Sequence, residues 1–532
     1  MIKKIVIQNY KIFSNFDLEF NDGLNIIVGD NEAGKSTILE AVNLALTKRL
    51  SGKFIENELS PYIFNAKCVV EYLSALKEKK ETPPPSILIE LYLVDNPQLE
   101  ALRGTMNSKR EDSIGVKLEI AFDTEFSEEY EALISNSTEM RFIPIEYYKV
   151  SWYSFANNAI TTRSLPSLSY IDATTIRLQS GTDYYLHDII KNGLDTKERV
   201  SLSIAYRNLK EAFSREESIS RINSKLRDKR GAITDKNLSI SIDVSQRASW
   251  ETNLIPHIDA IPFQMIGKGE QSALKVMLAL DRNSDADNLI LIEEPENHLS
   301  FSSMNKLILK ISERCKGKQI LITTHSAYVL NKLGLENLIL LCERGTTTLR
   351  KLSESTQRYF KKLPGYDTLR LVLAKQTILV EGPSDELIIQ KAYLQQHKVL
   401  PIEHGIDVIS LRGLSFARFF DIAVELKKNI VAVTDNDGNY KKNIEKKYAA
   451  YMKHANIKIC SSTNNDAKTL EPQIVAVNTL EKLNQILETS FENKEELAEY
   501  MENNKTESAM KIFESSEEIV YPEYITYAIT QK

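Results

Sequence analysis

Apolar residues recur along this chain with two different periods, and the alternation between them outlines the fold. Ile5 and Ile7, then Leu24-Asn-Ile-Ile-Val28 ending in Gly29, read as β structure. A helical spacing follows at once in Ile38, Leu39, Val42, Leu44, Ala45 and Leu46. Ile87, Ile89, Leu91 and Leu93 alternate with other residues as a strand does, after a stiff surface turn at Thr82-Pro-Pro-Pro85. Leu289-Ile-Leu-Ile292 and Gln319-Ile-Leu-Ile-Thr323 have the length of buried strands and are separated by a helix. A further strand–helix alternation begins at Gln376 and runs to the end. The pattern predicts an α/β protein with a domain boundary between about 350 and 375.

Residues 180–235 break this rhythm. Between Lys197 and Lys236 the chain is charged, with Leu202, Leu209, Phe213, Ile219, Ile222 and Leu226 at helical spacings. That is an inserted helical element, and three roles stay open for it. It is a solvated helix pair packed on the main domain, a dimerisation arm, or a DNA-contacting arm using Arg215, Arg221, Lys225, Arg227 and Arg230. The expected organisation is one domain in two parts, 1–179 and 236–360, interrupted by this insertion and followed by a second domain over 370–532. No internal repeat or low-complexity tract is present.

Composition narrows the class. The chain has 532 residues, 42% of them hydrophobic, enough for two or three cores. Its 73 acidic residues outnumber 67 basic ones, a net charge of -6. That argues against a general nucleic-acid coating protein but not against a nuclease, whose metal ligands are acidic and whose basic groove is local. Cys68, Cys315, Cys342 and Cys460 are isolated, with no metal-binding spacing. A reducing cytoplasm is therefore the expected compartment. The apolar runs are too short for a signal peptide or a membrane span.

Two constellations carry chemistry. Gly29-Asp-Asn-Glu-Ala-Gly34-Lys35-Ser36 is a Walker A loop between a strand and an amphipathic helix. Its backbone N–H groups curl around phosphate, Lys35 reaches the β/γ-phosphates, and Ser36 offers a hydroxyl to one Mg²⁺. Asn31, Gly34 and Thr37 complete the expected ATP-binding loop. Leu289-Ile-Leu-Ile-Glu293-Glu294 is the matching Walker B strand. Glu293 is expected to meet the Mg²⁺ through water, and Glu294 to polarise the attacking water as general base. His325 ends the next strand, where an imidazole can touch the γ-phosphate.

The second constellation is Ile378-Leu-Val-Glu381-Gly382-Pro-Ser-Asp385, followed by Ile430-Val-Ala-Val-Thr434-Asp435-Asn436-Asp437. An apolar strand ending in Asp-x-Asp projects carboxylates at the carboxyl edge of a sheet. With Glu381 and Asp385 they can hold one or two Mg²⁺ or Mn²⁺ ions through oxygen. Such ions orient water and stabilise in-line displacement at phosphorus.

The first set resembles the ABC ATPase superfamily, in the branch of the SMC and recombination-repair ATPases. The family's signature loop matches Gly267-Lys268-Gly269-Glu270-Gln271, which places Gly267, Lys268, Gly269 and Gln271 at a nucleotide. Lys268 stands where serine is usual, Glu270 where the second glycine is usual, and Glu293 where aspartate is usual. These departures imply slow turnover or a clamp-like use of ATP. In that family the signature loop completes the site of a second copy, so a homodimer or larger homo-oligomer is implied.

The second set resembles the Toprim domain, a Rossmann-like fold. The two together resemble the OLD (overcoming lysogenization defect) family over essentially the whole chain. The resemblance adds Glu471, in Thr469-Leu-Glu471-Pro, to the metal ligands. It also adds Lys505 as the catalytic lysine, offsetting charge that builds in the transition state. Glu381, Asp435, Asp437, Lys505 and Glu294 are then the catalytic expectations. The resemblance implies DNA as substrate and anti-phage defence beside a partner, such as a helicase or a reverse transcriptase with its small DNA. The competing reading is an ATP-operated clamp with a non-catalytic Toprim module. A topoisomerase or primase fits poorly, because only about 150 residues follow Glu381 and no zinc module is present.

Overall fold

The computed structural model describes residues 1–78, 80, 82–136, 140–161, 165–172, 178–179, 182–183, 194–228, 239–241, 257–281, 288–342, 345–363 and 367–531. They pack as two units, Met1–Leu24 with Ser36–Thr323, and Asn25–Lys35 with Thr324–Lys532. The boundary expected from the sequence, 350–375, falls inside the second unit.

The first unit holds an antiparallel sheet. Ile2–Tyr10 lies between Phe13–Glu19 and Ile87–Leu93, and Ser113–Phe122 follows with Tyr148–Ser154 and Arg103–Gly104 paired to it. Ile87, Ile89, Leu91 and Leu93 are buried, as their alternation predicts. The second face is covered too. Glu90 is 1% exposed and accepts hydrogen bonds from the Ser108 N–H at 2.8 Å and its hydroxyl at 2.6 Å. The unit also contains the parallel run Ser167–Asp172, Asn288–Glu293 and Gln319–Thr323, with helices Lys268–Asp281 and Phe301–Arg314. Leu289–Ile292 and Gln319–Thr323 are the continuous apolar runs, buried as central parallel strands are.

Of the insertion, the helices Thr196–Arg215 and Glu217–Arg227 are described, and residues 184–193 and 229–235 with Arg230 lie outside the described residues. Asp195 caps the longer helix reciprocally with Glu198. The apolar residues of this helix stay in water: Leu209 is 63% exposed, Ile204 55% and Phe213 49%.

In the second unit Leu338–Cys342 pairs in parallel with the strand ahead of the Walker A loop and turns back into Gly345–Thr348. A four-stranded parallel sheet follows, in the order Ile406–Ser410, Gln376–Val380, Asn429–Val433, Ile457–Cys460. Helices Pro383–His397 and Phe416–Leu426 connect its strands, and five more, from Leu470–Val477 to Glu523–Thr530, complete the C-terminal part. Ile378, Val380, Ile389, Val431, Ile474, Leu497, Ile512 and Ile525 share one core. This is the Toprim fold expected from the sequence. Helix Glu354–Lys362 joins it tightly. Phe360 meets Phe419 edge-on at 5.2 Å, and Asp421 accepts hydrogen bonds from Thr356 and Tyr451 at 2.5 and 2.7 Å.

Candidate functional site

Parallel strands with helical crossovers leave their functional loops at the carboxyl edge. Glu381 follows Gln376–Val380, and Asp435 follows Asn429–Val433, so adjacent strands deliver both carboxylates. Oε1 of Glu381 accepts the Thr434 hydroxyl at 2.5 Å and the Asp435 N–H at 2.9 Å. Asp385 sits in the first turn of Pro383–His397 and accepts the Gly382 N–H at 2.8 Å. A carboxylate is favoured there by the helix dipole. Glu471, 4% exposed on Leu470–Val477, and Lys505, at the start of Lys505–Glu514, arrive from helices distant in sequence. Their side chains form an ion pair at 3.2 Å.

Electrostatics binds these groups into one cluster. Burial, reinforced by the charges of Glu381, Asp385 and Glu471, pushes the Asp435 carboxyl up to about 8, with Lys505 opposing. Burial likewise raises Asp385 to about 6, against the Gly382 hydrogen bond and Lys505 and with help from Glu381 and Glu471. Lys505 is raised overall: the Glu471, Asp435 and Asp385 charges outweigh its desolvation. Four carboxylates thus face one ammonium. Tyr524, on the last helix, is half-buried against the core and held far above the usual phenol range by burial of its hydroxyl and by the same four acids. The sequence reading missed Tyr524 because nothing local links it to Asp435.

Asp437 is different. It is exposed, with a φ of 47°, and is not among the groups whose charges shift Asp385 or Asp435. The residue between the two aspartates fixes this turn. Asn436 is fully buried and donates to the Ser462 and Asn464 carbonyls at 2.8 and 2.7 Å while its own side-chain oxygen takes the Gly438 N–H at 2.8 Å. Asp-x-Asp therefore sends one acid into the cluster and keeps one in water.

Among the described residues no three His, Cys, Asp or Glu side chains already stand close enough to enclose a cation. The donor set nevertheless suits a hard divalent ion. Its oxygens are carboxylate, burial and their mutual repulsion together lift Asp435, and Glu471 Oε2 is buried with Lys505 as its charged neighbour.

The nucleotide-binding expectations divide between the units. In the second unit, Glu32 and Gly34 take positive φ values of 65° and 95°, which curls the Walker A loop into a nest of N–H groups. Gly34 and Lys35 are buried and Asn31 exposed. Lys35 Nζ donates to the carbonyls of Gly29 and Asp30 at 3.0 and 2.9 Å, inside the loop whose phosphate it is expected to hold. A Cβ at Gly29 would stand 3.1 Å from Leu341, so the close packing against that strand leaves little room for a side chain there. His325 is exposed just after Gln319–Thr323.

In the first unit, Ser36 is exposed and Thr37 half-buried on the helix that Lys35 begins. Glu293 accepts the Tyr170 hydroxyl at 3.0 Å. Glu294 turns to a φ of 44° and accepts from the Asn297 amide at 2.6 Å. The signature loop opens helix Lys268–Asp281. Gly267 and Lys268 are exposed, whereas Gly269 and Gln271 are buried. A Cβ at Gly269 would fall 2.2 Å from the His298 carbonyl oxygen, and the Gln271 amide donates to Ile266 O at 2.9 Å. Gly269 thus packs this loop against the segment after Walker B, Gln271 ties the loop to Ile266 ahead of it, and Lys268 presents its charge to solvent.

Residues 4–151 match the family described as AAA domain, and 105–331 match "AAA domain, putative AbiEii toxin, Type IV TA system". Residues 372–437, which carry Glu381, Asp385, Asp435 and Asp437, match "Overcoming lysogenization defect protein-like, TOPRIM domain". The chain thus carries an ATPase-type domain ahead of a Toprim domain similar to that of the OLD family. It is 28% identical over 166 residues to the Old nuclease of Escherichia phage P2, covering 28% of each chain. It is 21% identical over 543 aligned positions to the endonuclease GajA of Bacillus cereus, covering 93% of this chain and 86% of that one. A shorter match, 47% identical over 49 residues, relates it to the DNA double-strand break repair Rad50 ATPase of Methanopyrus kandleri. That match covers 9% of this chain and 6% of the other, so the chain spans a minor part of the Rad50 and Old relatives. Among the described residues no helix is long and apolar enough to cross a membrane.

Proposed function

We propose that this protein is a divalent-metal-dependent endonuclease of the OLD family that hydrolyses DNA phosphodiester bonds, under the control of its ATPase. The observation that carries the reading is the cluster itself: four carboxylates opposed by one lysine at the carboxyl edge of a parallel sheet. Glu381, Asp385, Asp435 and Glu471 are the residues to hold Mg²⁺ or Mn²⁺, and Asp437 is the candidate ligand for a second ion. An ion held there would orient a water for attack and offset charge on the phosphate. Lys505, tied to Glu471, supplies a positive charge fixed beside the reacting phosphate. Glu381 has one oxygen engaged by two donors, which leaves the other for coordination.

The functional modules are the two-part ATPase at 1–179 and 236–360, the insertion at 180–235, and the Toprim nuclease at 370–532. Lys35, Ser36, Thr37, Asn31 and Gly34 bind ATP and its Mg²⁺ with Glu293, Glu294 and His325. Gly267, Lys268, Gly269 and Gln271 meet the nucleotide of a second copy. The exposed Lys268 in place of a serine favours slow turnover and clamp-like use of ATP. The apolar face on Thr196–Arg215 serves the homodimer. Anti-phage defence, with a helicase or reverse-transcriptase partner, is the cellular role we assign.

The test is direct. Purified protein is incubated with supercoiled plasmid and Mg²⁺ or Mn²⁺, with and without ATP. Nicked or linear product from the wild type, absent from Asp435→Ala, is the expected result. Equal cutting by a well-folded Asp435→Ala variant would remove the nuclease centre from this cluster.

A further inference from the structure

We propose that Thr434 is a positioning residue for the metal site: its hydroxyl locks Glu381 so that this carboxylate offers a single, pre-aimed oxygen. The inference rests on the cation-binding reading of the cluster and adds to it a group that is neither acid nor base.

The geometry begins with the backbone. Asn429–Val433 ends one residue earlier, yet the Thr434 N–H donates to the Cys460 carbonyl at 3.2 Å and extends the pairing with the neighbouring strand. The Thr434 backbone is therefore fixed by the sheet. Its side chain is β-branched, with few accessible χ1 states, so aiming the hydroxyl loses little entropy. Thr434 is 7% exposed, which removes water as a competing partner. A hydroxyl has one proton, and Glu381 Oε1 at 2.5 Å is where it goes; the alternative contact, the Asp435 carbonyl, is at 3.5 Å.

Glu381 Oε1 also receives the Asp435 N–H at 2.9 Å. Two donors on one oxygen pin the carboxylate plane and leave Oε2 unshared with either. The same peptide segment that carries Asp435 thereby sets the orientation of Glu381 on the adjacent strand, so the two acids are positioned as a pair. Without the hydroxyl, one donor remains and the Glu381 carboxylate can rotate about its last bond. Partners that orient a metal ligand in this way typically contribute about 10–100-fold to metal affinity.

The experiment compares wild type, Thr434→Val and Thr434→Ser as full-length protein. Mn²⁺ binding to chelator-treated protein is measured by isothermal titration, and the Mn²⁺ dependence of plasmid cleavage is measured beside it. Thr434→Val preserves shape and β-branching, and a thermal melt in chelator reports any packing loss separately. The expected result is that Thr434→Val weakens Mn²⁺ binding about 10–100-fold, and that Thr434→Ser restores most of it. Cleavage should follow, with the loss offset by added Mn²⁺. Wild-type Mn²⁺ affinity in Thr434→Val overturns the positioning role while leaving the metal site standing. A Thr434→Ser variant as weak as Thr434→Val also overturns it, because the hydroxyl would then not be what matters. Absence of Mn²⁺ binding by the wild type, together with absence of cutting, overturns both this inference and the nuclease reading beneath it.

Discussion

Lys505 Nζ stands 3.2 Å from Glu471 Oε2, although 33 residues of chain and the whole of helix Lys494–Asn503 separate the two. Lys505 is the charged neighbour of this buried carboxylate oxygen. Glu471 is almost fully buried and Lys505 about half exposed, so the lysine reaches inward from the rim. It acts on Asp435 and Asp385 as well as on its partner.

That placement separates binding from chemistry. Lys505→Met removes the cation that opposes the carboxylates among the described residues, so Mn²⁺ should bind the variant at least as tightly as the wild type. Cutting should nevertheless fall by about 10²–10³, the usual cost of losing a charge that stabilises a transition state. Titration calorimetry and plasmid cleavage on the same sample check both halves. Weaker Mn²⁺ binding with unchanged cutting would contradict the assignment.

The raised carboxyls make metal binding depend on pH. Asp435 sits at about 8 and Asp385 at about 6, so a cation must displace protons from both in acid and from Asp435 alone near neutrality. Affinity for Mn²⁺ should climb about tenfold per pH unit from pH 6 to pH 8 and then level off. Stability without metal runs the other way. A group whose folded value lies above its unfolded value, about 4 for aspartate, contributes stability that is complete below the unfolded value and lost as pH rises through the folded one. D435N should therefore gain in Tm relative to wild type between pH 6 and pH 9 in chelator, and a constant difference between the two would refute the shift.

On the ATPase side, Lys35→Ala should lose nucleotide binding, because its ammonium lies within the phosphate-binding loop. Glu294→Gln should still bind ATP and hydrolyse it about 10²-fold more slowly, the scale of a lost general base. Filter binding and phosphate release distinguish the two. Equal phosphate release by wild type and Glu294→Gln would show that another group polarises the water.

Leu209, Ile204 and Phe213 leave an apolar face in solvent on helix Thr196–Arg215. Light scattering without nucleotide should return at least twice 60.6 kDa. Replacing Leu209 and Phe213 together by Asp should bring the mass to that of one chain, with the Tm little changed because neither side chain is buried. A wild-type monomer at micromolar concentration, unaltered by ATP in Glu294→Gln, would dispose of the dimer.

Motifs that occupy one strand, one turn and the start of one helix are written in consecutive residues, and the sequence alone determined these. Gly29–Ser36 declares itself by glycine spacing between an apolar strand and an amphipathic helix, and Glu381-Gly382-x-x-Asp385 does so in the same way. The parallel strands were legible because burial on both faces demands unbroken apolar runs such as Leu289–Ile292. Tertiary structure decided which acids meet. Asp435 and Asp437 look equivalent in Asp-Asn-Asp, yet the buried Asn436 amide ties the turn to Ser462 and Asn464, turning one aspartate into the cluster and the other into water. Glu471, Lys505 and Tyr524 join Asp435 only because helices from Leu470 onward close over the sheet around a shared core. Residues so far apart in sequence share no local periodicity. Their proximity follows from burying apolar faces, a non-directional force that leaves no spacing to read along the chain.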